Sequence, residues 1–349
     1  MSKTTIAIAG IGAIGRRHVE LVQASNECEL LAVVDPMPAA PDYLASLGVK
    51  QYASLAQLFA QCVPDGVILA TPNALHVEQA IECMQAKAAV LVEKPMAHSV
   101  EQGLRLCELA ELHKAKILVG HHRAHSPILE RARQVISQGL LGDLVAVQGS
   151  ALFYKPDDYF DAAPWRRQNG GGPILINLIH EIGNLRSLCG EIIAVQAMQS
   201  NSARGFAVED TVAIGLRFAS GVLGTFMLSD SAACARSWEQ TSQENADYAS
   251  YDDEDCYVIS GKHGSLSVPT MRLKRYGHGA NRSWFEPFEA SVAKVQLRDP
   301  LVQQLAHFCA VIRGEAQPLV SVRDGLRNLM IVEAVAEAAR TGLIVRVAA

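Results

Sequence analysis

Gly10-Ile11-Gly12-Ala13-Ile14-Gly15 follows a short apolar run, Thr5–Ala9, and opens a stretch of helical apolar spacing, Arg16–Ala24. Glycines at this spacing between a strand and a helix suit a dinucleotide. Gly10 permits a tight turn, Gly12 lets backbone approach a pyrophosphate, and Gly15 lets helix and strand pack closely. The helix start at Gly12, Ala13 and Ile14 then offers free N–H groups and the positive end of a dipole to the phosphates. Asp35 ends the second apolar run, twenty residues after Gly15. A carboxylate there accepts hydrogen bonds from both ribose hydroxyls and repels a 2′-phosphate, so NAD is expected over NADP. The competing reading is a glycine-rich turn that binds no dinucleotide.

Two further strand ends carry polar residues. Thr71, Pro72, Asn73 and His76 follow the run Gly66–Ala70, and Glu93-Lys94-Pro95 follows Ala89–Val92. Ligands of parallel sheets bind beyond the carboxyl ends of the strands, so these loops are expected to share one crevice with Gly12 and Asp35. Lys94 at a strand tip can reach a reacting hydroxyl, and the bland alternative is a surface Glu–Lys pair. His121, His122 and His125 cluster near residue 122, but no carboxylates or cysteines stand at ligand spacing, and no metal is expected. Lys155, Tyr159, Trp165 and Arg166 form a polar, aromatic loop suited to an anionic or polyhydroxylated substrate, or to ordinary packing. Ser229-Asp230 and Trp238-Glu239 are weaker candidates for a cleft wall or a subunit contact.

These residues need elements to position them. The first 120 residues alternate apolar runs (Thr5–Ala9, Leu30–Val34, Gly66–Ala70, Ala89–Val92, Lys116–Val119) with helical patterns (Arg16–Ala24, Leu55–Cys62, Leu75–Ala86, Val100–His113). Continuous apolar strands between helices predict a parallel, doubly wound sheet. The rhythm then breaks. Leu144–Leu152, Glu191–Ser200, Thr211–Phe218, Val222–Leu228 and Cys256–Ile259 read as strands, the third and fourth joined as a hairpin through Ala219-Ser220-Gly221. Helical patterns recur at Pro127–Gln138, Ile174–Cys189, Leu301–Arg313 and Asp324–Thr341, which together predict an α+β domain on a largely antiparallel sheet. Ser231–Asp255 has no clear period, as expected of a long functional or mobile loop.

Composition bounds the rest. The chain has 349 residues, 49% hydrophobic and 19% charged, with a net charge of −5, which suits a two-domain globular protein and argues against nucleic-acid binding. No apolar run is long enough for a membrane helix, and the first residues lack a signal-peptide pattern. Eight cysteines, none in a Cys-x-x-Cys pair, read as buried thiols of a reducing, cytoplasmic setting.

Taken in order, the motifs resemble the Gfo/Idh/MocA family (glucose–fructose oxidoreductase, inositol dehydrogenase, MocA). The matching pieces are the glycine fingerprint, Ala70-Thr71-Pro72-Asn73 with His76, Glu93-Lys94-Pro95, and Val119-Gly120 leading to Arg123 and Pro127. Trp165-Arg166 and Gly170-Gly171-Gly172 followed by His180 complete the set. The resemblance implies an N-terminal Rossmann domain, residues 1–122, and a C-terminal domain, 123–349, with a large open sheet through which members form homodimers or homotetramers. It implies hydride transfer between nicotinamide C4 and a secondary alcohol carbon of a polyol, sugar or cyclic diol. Lys94 is similar to the family's lysine that contacts the substrate hydroxyl and nicotinamide ribose, and His180 to its acid/base histidine, whose ordinary pKa near 6.5 suits the task. His122 and Arg166 are placed with the cofactor and Arg123 with the substrate, and a cis Lys94–Pro95 bond is implied.

The chain departs from that pattern at two places. Where members often carry Asp four residues before and three after the histidine, Ile176 and Gly183 stand. Asn177, three residues before His180, falls on the same face of an α-helix and can orient a hydroxyl without taking its proton. A second reading is therefore an NAD-binding sensor or scaffold without turnover. A third, a metal-dependent lyase or hydrolase, would need a metal on the histidine cluster.

Overall fold

The computed structural model describes residues 3–39, 41–277 and 279–347. The chain forms two compact units, Met1–His125 with Pro300–Leu329, and Ser126–Asp299 with Met330–Ala349.

The first unit holds six strands: β1 (Thr4–Ala9), β2 (Cys28–Val34), β3 (Lys50–Tyr52), β4 (Gly66–Leu69), β5 (Ala89–Val92) and β6 (Ile117–Val119). They pair in the order β3-β2-β1-β4-β5-β6, every pair parallel. The expected doubly wound sheet is thus present, in the dinucleotide-fold order with its reversal at β1 and β4. Strands β4 and β5 are buried at every residue, which is why they read as continuous apolar runs. Pairing of β3 is short and half-buried, so it left no apolar signal in the sequence.

The expected border at 122/123 is a single cut, whereas the first unit also contains Pro300–Leu329. Helix Pro300–Arg313 lays Leu305, Phe308 and Cys309 into one core with Ile6, Ile8, Ile68 and Leu118. Gly66 is cut to fit this helix, since a Cβ there would lie 2.7 Å from Ile312 Cδ1. Helical period shows which face of a segment is apolar but not which sheet that face covers, and this is why the return is invisible in sequence.

The second unit is built on nine strands: β7 (Leu144–Leu152), β8 (Ile192–Ser200), β9 (Thr211–Phe218), β10 (Leu223–Ser229), β11 (Tyr257–Gly261), β12 (Gly264–Val268), β13 (Arg272–Arg275), β14 (Glu289–Val292) and β15 (Val345–Arg346). Their order is β14-β13-β12-β11-β7-β10-β9-β8-β15. Among the described residues only β7 and β10 pair in parallel in this sheet, so it is mostly antiparallel as expected. The predicted β9–β10 hairpin is present, with Gly221 at a φ of +91° in its turn. Alternation along β9 and β10 sends Val212, Ile214, Leu216, Phe226 and Leu228 into the core, while Leu223 and Met227 stay exposed. Ser231–Asp255 contains only a single helical turn, Trp238–Thr241. Among the described residues no helix is long and apolar enough to cross a membrane.

Candidate active site

In the first unit the glycine loop has a separate steric reason at Gly10 and at Gly15. Gly10 has a φ of +84°, and a Cβ there would lie 2.6 Å from the Ala70 carbonyl oxygen. A Cβ on Gly15 would come within 1.8 Å of the Gly10 carbonyl oxygen. Gly12 faces open space, and with Ala13 and Ile14 it forms an exposed start to helix Ala13–Ala24 without a side-chain cap. Asp35 turns back onto this loop. Its Oδ2 accepts from Ile11 N at 3.0 Å and its Oδ1 from Met37 N at 2.9 Å. Each oxygen keeps a lone pair for a further donor. An open helix start beside a fixed, half-exposed carboxylate fits the pyrophosphate and ribose of a dinucleotide.

The loops after β4 and β5 are tied together by His76. Its buried ring sets Nε2 2.9 Å from the Thr71 carbonyl oxygen and Nδ1 2.9 Å from that of Pro95, and burial lowers its pKa. Thr71 donates through Oγ1 to Gln79 at 2.6 Å, and Pro72 and Asn73 lead into a short 3₁₀ turn. The Lys94–Pro95 bond is cis. Glu93 is buried, with Oε1 2.8 Å from His18 Nε2. Burial alone would raise its pKa, but the His18 hydrogen bond and the charges of His18, Lys94 and His122 hold it at about 2. His18 carried no sequence signal, because a histidine inside an amphipathic helix looks like any other.

The three clustered histidines sit at and just after the end of β6. His122 and a buried Arg123 lie in a 3₁₀ turn, His121 Nε2 is 3.3 Å from Asn328 Nδ2, and the His125 ring stands 5.1 Å from that of His307. Among the described residues no three His, Cys, Asp or Glu side chains come together in a group able to hold a metal ion.

In the second unit four of the residues singled out from sequence gather around two buried cations. Lys155 donates to Asn177 Oδ1 at 2.8 Å and lies 3.6 Å from Asp230 Oδ2. Burial lowers its pKa to about 8, with Asp230 opposing and Arg166 and Arg204 adding to the fall. Its ammonium stands 4.9 Å from the Tyr159 ring centre, and the Arg166 guanidinium covers that ring at 3.7 Å while donating to the Tyr159 carbonyl at 2.6 Å. Trp165 is exposed, at 55%. Arg204, which sequence reasoning missed, donates through Nε to Asp230 Oδ1 at 3.0 Å.

His180 is buried near the start of helix Ile179–Cys189, and the residues before it, Ile174–Leu178, wind as a turn of π-helix. That wider winding carries Asn177, so the three-residue spacing to His180 is not that of a regular α-helix. Two contacts fix the segment. Glu209 Oε1 accepts from Ile174 N at 2.9 Å, and burial raises the pKa of that carboxyl. The Tyr257 hydroxyl donates to the buried Glu181 and accepts from Asn184 Nδ2 at 2.9 Å. The glycine triplet is explained by the same geometry: Gly170 has a φ of +86°, a Cβ on Gly171 would lie 2.5 Å from the Trp165 carbonyl oxygen, and one on Gly172 would lie 2.2 Å from Glu209 Oε1.

Known proteins share this architecture. A sequence profile described as an oxidoreductase family with an NAD-binding Rossmann fold matches residues 4–121, and one for the GFO/IDH/MocA C-terminal domain matches 129–267. The rhizopine catabolism protein MocA of Rhizobium meliloti is 30% identical over 55% of this chain and 59% of its own length. Inositol 2-dehydrogenase of Rhizobium meliloti is 23% identical over 94% of both chains. The WlbA dehydrogenase of Chromobacterium violaceum, solved with NADH and UDP-GlcNAcA, superposes with a TM-score of 0.79 at 26% identity, over 99% of this chain and 96% of that one. With both domain profiles matched in order and the two sheets in place, the chain belongs to the Gfo/Idh/MocA family of NAD-binding oxidoreductases.

Proposed function

We propose that this protein is an NAD-dependent dehydrogenase that moves a hydride between nicotinamide C4 and a secondary alcohol carbon of a polyol, sugar or cyclic diol. The observation that carries the reading is the glycine loop closed by Asp35, an open helix start with its ribose acceptor already oriented. In the direction of oxidation, alcohol and NAD⁺ give ketone, NADH and a proton. The nicotinamide supplies the hydride chemistry, while the protein orients the alcohol and moves its proton. His180 takes the hydroxyl proton, and Lys94 hydrogen-bonds the reacting oxygen. Asn177, held by Lys155, orients a hydroxyl of the substrate, and Tyr159, Trp165, Arg166 and Arg123 line its path. Cofactor contacts are assigned to Gly10, Gly12, Ala13, Ile14, Gly15, Thr71, Pro72, Asn73, His76, Glu93, Lys94 and His122.

Asp35 selects NAD, because its two oxygens already face backbone donors and a third acceptor role suits a ribose hydroxyl but not a phosphate. The test is titration of nicotinamide fluorescence with NADH and NADPH. NADH is expected to bind much more tightly, and Asp35→Ser to narrow the gap; equal affinity in the unmodified protein would refute the assignment. A homodimer or homotetramer through the open face of the nine-stranded sheet is part of the proposal, supported by exposed Val145, Met198, Leu223 and Met227 on that sheet. The eight free cysteines, six of them buried, support a cytoplasmic setting.

A further inference from the structure

The second unit has a cavity of about 420 Å³ that the proposed reaction does not use. This volume falls within the range of about 300–1,000 Å³ typical of small-molecule sites. Tyr154, Asp157, Arg167, Arg204, Phe206 and Ser231 line it. Lys155, Asn177 and His180 are not among its lining residues. Residues of an extended segment alternate faces, and Lys155 shares its face with Phe153, over whose ring its ammonium stands at 5.6 Å. Tyr154, between them, points the opposite way and is bridged through its backbone to Ser231.

Two guanidinium groups meet in this cavity. Arg204 is anchored from behind. Its Nε donates to Asp230 Oδ1 at 3.0 Å, and its Nη2 donates to the carbonyls of Lys155, at 2.8 Å, and of Asp230. Its side chain is only 6% exposed, yet among the described residues Nη1 makes no hydrogen bond, and Asp157 Oδ1 stands 3.8 Å from it, beyond hydrogen-bond distance. Asp157 is itself 83% exposed, so it is a solvated counter-ion and not a fixed partner. Arg167 pairs through Nη2 with Asp161 on the solvent side, and its Nε is buried without a hydrogen-bond partner among the described residues. Aromatic rings hold both groups flat: Arg204 over Tyr154 at 5.0 Å and Phe160 at 4.5 Å, Arg167 over Phe206 at 5.3 Å.

We infer that this cavity is a second binding site, for a small molecule bearing a carboxylate or a phosphate group. An anion entering between the two guanidinium groups displaces Asp157 from Arg204 and receives the Nη1 donors in its place, with Arg167 closing from the other side. Paired planar donors of this kind are suited to both groups. The Tyr154 and Ser231 hydroxyls add donors for hydroxyl groups on the same molecule. The inference does not depend on the roles proposed for Lys94, Asn177 and His180.

Calorimetric titration of the full chain tests it, with glucuronate, glucose 6-phosphate and the neutral polyol glucitol as probes. One or both anions should bind in a way that Arg167→Gln weakens, and which anion binds tells carboxylate from phosphate. Any glucitol binding belongs to the reaction site and should be left unchanged by Arg167→Gln. Because Arg204 is buried and its loss threatens folding, the variants are Arg167→Gln and the half-exposed Tyr154→Ala. Each should weaken anion binding about tenfold or more, as expected for loss of a charge-assisted contact, while His180→Ala binds like the parent. Anion binding as tight in Arg167→Gln and Tyr154→Ala as in the parent would overturn the inference. So would binding lost in His180→Ala but kept in Arg167→Gln, or an Arg167→Gln protein altered only in oligomeric state, which would give the cavity to a second copy of the chain.

Discussion

Lys155 offers the most quantitative test of the second unit. Burial brings its pKa down from 10.5 to about 8, with Asp230 holding it up and Arg166 and Arg204 pushing it down. At a pKa of about 8 the side chain is roughly nine-tenths charged at pH 7 and one-tenth at pH 9. Only the charged form makes a charge-assisted bond to Asn177 and an ion pair with Asp230. Above pH 8 kcat/KM should therefore fall, approaching about tenfold per pH unit as the ammonium is lost. Asp230→Asn removes the anion that supports the charge, so the limb should move to lower pH; Lys155→Arg keeps a cation throughout and should abolish it. Stability follows from the same shift. Between pH 8 and 10.5 the unfolded chain binds more protons than the folded one, so Lys155 makes stability rise with pH in that window, by a total on the order of 3 kcal/mol. Lys155→Met should flatten that rise. Initial rates from reduced-nicotinamide absorbance between pH 6 and 10, paired with urea unfolding, read both effects. A descending limb that stays in place in Asp230→Asn and persists in Lys155→Arg would refute the reasoning.

Glu93 should show the opposite sign: its folded pKa of about 2 lies below the ordinary 4.5, so its contribution is present above pH 4.5 and lost as pH falls toward 2. Glu93→Gln should flatten the acid limb of urea stability, and an unchanged limb would remove Glu93 as its source. Gly172→Ala puts a Cβ 2.2 Å from Glu209 Oε1 and must push the carboxylate off Ile174 N. A loss of about 1–3 kcal/mol is expected, read as a fall in Tm, and a Tm within error of the parent's would contradict it. His180→Ala should slow single-turnover hydride transfer by about 10²–10⁴-fold with NAD affinity unchanged. Asn177→Ala should chiefly raise KM, and a full chemical rate in His180→Ala across pH 6–9 would send the proton by another route.

The parallel sheet was legible because β1, β4 and β5 are buried on both faces nearly throughout, β2 is buried over its last three residues, and each is followed by a turn with its own chemistry, as at Gly10, Asp35, Thr71 and Glu93. The edges of the second sheet were not. Strand β14 is exposed at every residue, and β13 buries only Leu273, so neither carries an alternating pattern for a reader to find. Their pairing is imposed by β12, whose Leu266 and Val268 are buried.

The candidate site divides along the same line. Residues on one loop or one helix declare themselves by spacing, whereas Lys155, Asp230 and Arg204 meet only because of strand order. Parallel pairing of β7 with β10 brings Leu152 beside Ser229, and two short steps later the Lys155 N–H donates to the Asp230 carbonyl at 2.9 Å. The turn between β8 and β9 then delivers Arg204 to the same carboxylate and Glu209 to the start of the His180 segment. This bears on the two carboxylates missing at Ile176 and Gly183. On the proposed reaction a cation, Lys155, stands beside the Asn177 amide, and Ile176 and Gly183 supply no acid. A positive charge there stabilises an oxygen that is losing its proton but cannot itself receive that proton while charged. The proton must then pass to His180, and Lys155 is left to hold Asn177 and the electrostatic field around it.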